Sequence, residues 1–157
     1  MIRKVLLVCS GNTCRSPMAE ALLKHAWQAA NPGWDLEVIS AGTGAMPGSV
    51  ASPHAVSAMR SRGLDLSAHR SRPVDDQTLA SVDLVLTMTH RHKEHILSRW
   101  PHLAGRVYQL GEYAGNGQDI SDPFGGTLQD YEATACDLST KLPVVVDRIR
   151  KEGAPGQ

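Results

Sequence analysis

Val5-Leu6-Leu7-Val8-Cys9-Ser10-Gly11-Asn12-Thr13-Cys14-Arg15-Ser16-Pro17-Met18-Ala19-Glu20 is the stretch that decides the fold. The continuous apolar run from Val5 to Val8 reads as a strand buried on both faces, as in a parallel sheet. Ser16-Pro17 reads as a helix start, with Ser as N-cap and Pro at the first helical position. Between them lie a thiol, a glycine, an asparagine, a second thiol and a guanidinium. A loop from strand to helix aims successive backbone N–H groups at one point and adds the positive end of a helix dipole. A phosphate-sized anion is the expected occupant, with the Cys9 sulfur at its base and Arg15 at its rim.

Working outward, a helix is predicted over 17–30, with Met18, Leu22, Ala26 and Ala29 on one face. Asn31-Pro32-Gly33 stops it. A second strand is expected over 36–40, then a loop of small residues over 41–48. Ser52-Pro53 repeats the cap-plus-proline start for a helix over 54–62, closed by Gly63. A polar connection over 64–73 leads to a helical turn near 75–79. The third strand is expected over 82–88, followed by a helix from Thr89 to Trp100 that Pro101 ends. A short fourth strand over 106–110 precedes a loop over 111–126. The last helix, over 127–150, places Tyr131, Leu138, Leu142, Val145 and Ile149 on one stripe, and Pro143 should kink it. Residues 152–157 are expected to fray.

Strands alternating with helices imply right-handed crossovers and a parallel sheet covered on both faces. The expected fold is α/β, a small doubly wound four-stranded parallel sheet in the order 2-1-3-4, forming one domain over 1–157. Ligands of such sheets bind beyond the carboxyl ends of the strands, and the Cys9 loop lies there.

The composition fits a soluble chain. Hydrophobic residues make up 41% and charged residues 20%, and sixteen basic residues balance sixteen acidic ones. That balance supplies no global field to recruit nucleic acid or an anionic membrane. No apolar run approaches the roughly 20 residues that span a bilayer, and the N-terminus lacks a cleavable signal pattern. Three cysteines, two of them inside one loop, point to a reducing cytoplasm and thiols kept for reactivity. A monomer without metal or cofactor is expected.

Cys9 and Arg15 frame a Cys-x5-Arg pattern with Ser16 directly after it. Backbone donors that solvate a thiolate can also hold three phosphoryl oxygens, while Arg15 adds two parallel charge-assisted bonds. In-line attack by the thiolate would form a cysteinyl-phosphate and split hydrolysis into two easier steps. Ser16 could donate to the sulfur and ease its departure in the second. Gly11 tolerates the unusual backbone angles such a loop needs, and Asn12 is one of the few other residue types that visits the left-handed region. The leaving group needs a proton, and Asp122, in Ile120-Ser121-Asp122-Pro123-Phe124-Gly125-Gly126, is the best candidate, with Asp119 as competitor. Phe124 could wall the pocket and Met46 could line the cleft. Cys136 is expected in the core. His90, His92 and His95 complete no zinc site and read as a solvated helix face.

Across nearly its whole length the chain resembles the low-molecular-weight protein tyrosine phosphatase family. The residues that carry the resemblance run from Val8 to Glu20, with Ser40-Ala41-Gly42-Thr43 and Asp122-Pro123. The resemblance implies a cytoplasmic, metal-independent phosphatase acting on phosphorylated proteins. Cys9 would be its nucleophile, Arg15 its phosphate clamp and Asp122 its general acid and then base. It also implies a network in which Asn12, Ser16, Ser40 and His69 hold the loop of Ser10, Gly11, Asn12, Thr13, Cys14 and Ser16. Cys14, on the same resemblance, would form a reversible disulfide with Cys9.

Two positions depart from the tyrosine-specific pattern. Thr13 stands where a larger aliphatic residue is usual, and Phe124-Gly125-Gly126 follows Asp122-Pro123 where adjacent tyrosines are common. Both are similar to the bacterial protein arginine phosphatase branch. A β-branched hydroxyl leaves more room than Ile and can hydrogen-bond to a planar guanidinium. Phosphoarginine is therefore the expected substrate, with phosphotyrosine as the alternative. A thiol-linked arsenate reductase would need two further cysteines close together, and only Cys136 remains. A non-catalytic phospho-residue binder would not need Cys9, Arg15 and Asp122 together.

Overall fold

The most apolar run of the chain occupies the centre of the sheet. In a computed structural model that describes residues 2–153, β1 (Lys4–Cys9) pairs in parallel with β2 (Glu37–Gly42) and with β3 (Leu84–Thr87). The outer strand β4 (Val107–Gln109) pairs with β3, which gives the expected order β2-β1-β3-β4. Cys9 lies opposite Gly42 and Val8 opposite Thr87, so the carboxyl ends of the three longer strands come together.

β1 is sandwiched. Val5 and Leu7 pack into one cluster with α1 (Arg15–Ala30), α2 (Pro53–Arg60) and α6 (Leu128–Gly153). Leu6 and Val8 face the other cluster, with α3 (Asp76–Ala80) and α4 (His90–Arg99). Leu6 and Leu7 are fully buried, each contributing about 1.5–3 kcal/mol by leaving water. The stripe Tyr131, Leu138, Leu142, Val145 and Ile149 is buried as α6 crosses this first face.

Five details differ from the sequence reading. Helix α1 starts at Arg15, and Ser16 is not its cap; Cys14 occupies the N-cap without a side-chain bond. The Ser16 hydroxyl instead meets Cys9 Sγ at 2.9 Å and accepts from Asn12 Nδ2 at 2.8 Å. β2 runs on to Gly42 because Gly42 N donates to the Arg72 carbonyl and its own carbonyl accepts from Val74 N, at 2.9 and 3.0 Å. The loop after β4 opens with a short helix, α5 (Leu110–Tyr113), closed by reciprocal Gln109 and Glu112 side-chain bonds to each other's backbone N–H. Glu152 does not fray: it accepts from Arg148 Nε at 2.7 Å and from the Tyr113 hydroxyl at 3.1 Å, and α6 continues to Gly153. Residues 154–157, the rest of the expected tail, lie outside the described residues. Cys136 is exposed rather than core, because it falls one residue past the buried Ala135 and off the apolar stripe. Among the described residues no helix is long and apolar enough to cross a membrane.

Candidate active site

β1 delivers Cys9 to the edge of the sheet and α1 receives Arg15, so the turn between them must reverse within five residues. Asn12 makes the reversal, with φ of 57°, a region that Asn tolerates better than most side chains. Gly11, beside it, is not at positive φ. Asn12 is fully buried. Its Nδ2 donates to Ser16 Oγ and Ser40 Oγ at 2.8 and 2.9 Å, and its Oδ1 accepts from Arg72 N at 3.0 Å. Its carbonyl meets His69 Nε2 at 2.7 Å. Ser16, Ser40 and His69 are thus gathered around one residue.

The sulfur sits inside this frame. Cys9 is 2% exposed, 2.9 Å from Ser16 Oγ, and accepts from Asn12 N at 3.3 Å. Gly42, whose role the sequence reading missed, presses against the loop. A Cβ there would collide with the Ser10 carbonyl oxygen and come within 3.0 Å of Asn12 N. Thr43 N and Gly44 N donate to the Cys9 and Ser10 carbonyls, both at 2.9 Å. The loop is therefore pinned from β2 as well as from α1.

Above the thiol is a cavity of about 230 Å³ lined by Cys9, Ser10, Gly11, Thr13, Cys14, Arg15, Asp122 and Phe124. Arg15 is buried; Nη1 donates to the Ile120 carbonyl at 2.9 Å, and Nη2 lies 3.5 Å from Asp122 Oδ2. That carboxylate is half-exposed, and its Oδ1 accepts from Phe124 N at 3.1 Å. Asp119 is brought elsewhere: its Oδ1 accepts from His90 N and Gln109 Nε2 at 2.9 and 2.8 Å. Burial works against its charge, but those hydrogen bonds together outweigh it and hold the carboxyl below the usual range. Phe124 is 75% exposed at the cavity wall; Met46 is 73% exposed and does not line the cavity. Cys14 Sγ packs 3.2 Å from Ser52 Oγ and 3.3 Å from the Tyr131 hydroxyl, and all three thiols are free. Burial, then the Cys14 contact, raises the Tyr131 pKa.

His92 corrects the solvated-face reading of α4. It is buried, with Nε2 2.8 Å from Ser10 Oγ and Nδ1 2.9 Å from Thr89 Oγ1. Burial, reinforced by the Arg15 charge, lowers its pKa to about 4. The available signal was positional: Thr89 caps α4 at the carboxyl end of β3, so the residue at N3 must face the neighbouring Cys9 loop.

A family model described as low molecular weight phosphotyrosine protein phosphatase matches residues 4–154. The protein-arginine-phosphatase of Bacillus subtilis is 41% identical over 149 residues, covering 94% of this chain and 97% of its own length. A probable low molecular weight protein-tyrosine-phosphatase, EpsP of Ralstonia nicotianae, is 40% identical over 153 residues, covering 98% and 100%. Among solved structures, YwlE arginine phosphatase in a cysteine-to-serine mutant with a phosphorylated active site serine superposes with a TM-score of 0.90. It is 39% identical, over 96% of this chain and 97% of that one.

Proposed function

This chain belongs to the low molecular weight phosphotyrosine protein phosphatase family, and on that premise we propose that it is a protein-arginine phosphatase working through a cysteinyl-phosphate. In this reading the Cys9 thiolate attacks phosphorus in line while the P–N bond breaks. Asp122 gives its proton to the departing guanidino nitrogen. The Asp122 carboxylate then takes a proton from water, whose oxygen attacks phosphorus and releases Cys9. Asn12 N and Ser16 Oγ, both directed at Cys9 Sγ, stabilise the sulfur as nucleophile and again as leaving group. Arg15 holds the equatorial oxygens, and its place beside Asp122 puts clamp and acid over one cavity.

The observation that carries the arginine reading is the cavity lining, where Thr13 and Asp122 face one space. A threonine hydroxyl and a carboxylate are hydrogen-bonding partners for a guanidinium and offer little to an apolar ring. The name of the Bacillus relative supports the same substrate. Phosphotyrosine remains the second reading because exposed Phe124 could stack on an aromatic ring. The proposal is completed by one domain, a cytoplasmic monomer, phosphorylated proteins as its partners, no nucleic-acid or membrane partner, no cofactor, and Cys14 as the partner of Cys9 in a reversible disulfide. The test is turnover of matched phosphoarginine and phosphotyrosine peptides by the reduced protein. Faster phosphoarginine turnover is expected, and Thr13→Ile should shift the ratio toward phosphotyrosine. Preference for phosphotyrosine in the unaltered protein would overturn the arginine reading and leave the phosphatase one standing.

A further inference from the structure

His92 lies outside the loop, yet its imidazole bridges the start of α4 to Ser10, the first residue after the nucleophile. The hydrogen-bond partners of the ring favour one tautomer. Thr89 Oγ1 accepts the backbone N–H of His92 at 3.2 Å and lies 2.9 Å from Nδ1. A hydroxyl has one proton to give. Among the described residues, Nδ1 is the side-chain partner of that hydroxyl. A Thr89 proton given to Nδ1 leaves the hydrogen on Nε2, and Nε2–H then donates to Ser10 Oγ across 2.8 Å. The ring is neutral over the ordinary working range, because burial and the Arg15 charge oppose its protonation.

One consequence concerns Ser10. In that arrangement its oxygen accepts from His92 and its own proton is free, and Ser10 is among the residues that line the cavity over Cys9. We propose that His92 is a positioning residue that holds the Ser10 hydroxyl as a proton-bearing donor to the phosphoryl group in the Cys9 cradle. Thr89, His92 and Ser10 form a relay of fixed direction, each donating to the next, whose last donor is the substrate contact. The opposite direction would make Ser10 donate to Nε2 and turn a lone pair toward an anionic phosphoryl oxygen, which would repel it. The proposal rests on the phosphatase reading and is independent of the choice between arginine and tyrosine.

The experiment uses p-nitrophenyl phosphate as substrate and inorganic phosphate as competing ligand. Ser10→Ala should lower kcat/KM and weaken phosphate binding, each by about tenfold, the scale of one hydrogen bond to a charged group. His92→Asn should cause the same loss in the unaltered background and add nothing in the Ser10→Ala background. His92→Gln, whose amide nitrogen reaches the Nε2 position, should recover most of it. Nitrogen-15 NMR of the unaltered protein should place the imidazole proton on Nε2. A loss from His92→Asn that is equally large with and without Ser10→Ala would mark a merely structural histidine and overturn the proposal. A proton on Nδ1 would overturn it as well, and needs no variant to fold. Absence of turnover in the unaltered protein would instead strike the phosphatase reading, while phosphate binding and the imidazole proton would still report on the relay.

Discussion

Asn12 and Phe124 stand on opposite sides of the same site, one fully buried with three side-chain hydrogen bonds, the other 75% exposed at the cavity wall. Around Asn12, the serines at 16 and 40, His69 and the Arg72 backbone tie the loop to α1, β2 and the segment beside it. Around Phe124, Asp122 holds the Phe124 N–H and Gly126 N reaches the Pro123 carbonyl, so the segment is bonded mainly to itself. The contrast matches two tasks. Donors that receive phosphoryl charge work best when already fixed, because nothing then reorganises as charge arrives. On the proposed mechanism, the segment that brings the acid must admit and release a whole side chain of another protein. A rigid cradle faces a loosely tied cover.

Breaking either side should leave a different signature. Asp122→Asn removes the proposed acid from the cover and should lower kcat by about a thousandfold, within the range for a lost general acid. Its melting temperature should stay essentially unchanged, since the carboxylate is half-exposed. Asn12→Ala strands two buried hydroxyls and the Arg72 N–H and puts a poorly suited residue at φ 57°. It should cost about 3 kcal/mol of stability in urea unfolding, with turnover falling alongside. A third handle is acid. His92 is held at about 4, whereas an unfolded histidine titrates near 6.5. As pH falls from about 6.5 to about 4, the unfolded chain takes up a proton that the folded chain refuses, so stability drops across that window. Asp119 and Asp122 pull toward protonation while Arg15 and His95 oppose it, and burial dominates. His92→Gln should flatten that slope in unfolding measured at several pH values. Phe124→Ala should be smallest, within about 0.5 kcal/mol of the parent in stability, with its effect confined to KM for protein substrates.

The same contrast marks what the sequence could and could not say. The sheet was legible because runs such as Val5-Leu6-Leu7-Val8 are apolar at every position, which only a strand covered on both faces explains. Asn12 was legible because few residues accept a left-handed turn. Ser16 was half legible: its reach to the sulfur was expected, but Ser-Pro also signals a helix cap locally, and the thiol seven residues upstream claims the hydroxyl. His92 and Gly42 were missed for a related reason. Their partners, Ser10 in both cases, lie on a different strand-to-helix turn, and only assembled strand ends bring them together. Cys136 looked like core by residue type, and helix phase placed it outside. Met46 had only a nearby loop to recommend it, and that loop turns it to solvent.

The central claim is that the phosphoryl group passes through Cys9. Reduced protein turning over a phosphoarginine peptide can be quenched rapidly and its phosphoryl group located by mass spectrometry. The account predicts transient phosphate on Cys9, formed and lost at the rate of turnover, and no turnover in Cys9→Ser. Phosphate on any other residue, or turnover that survives Cys9→Ser, would contradict it.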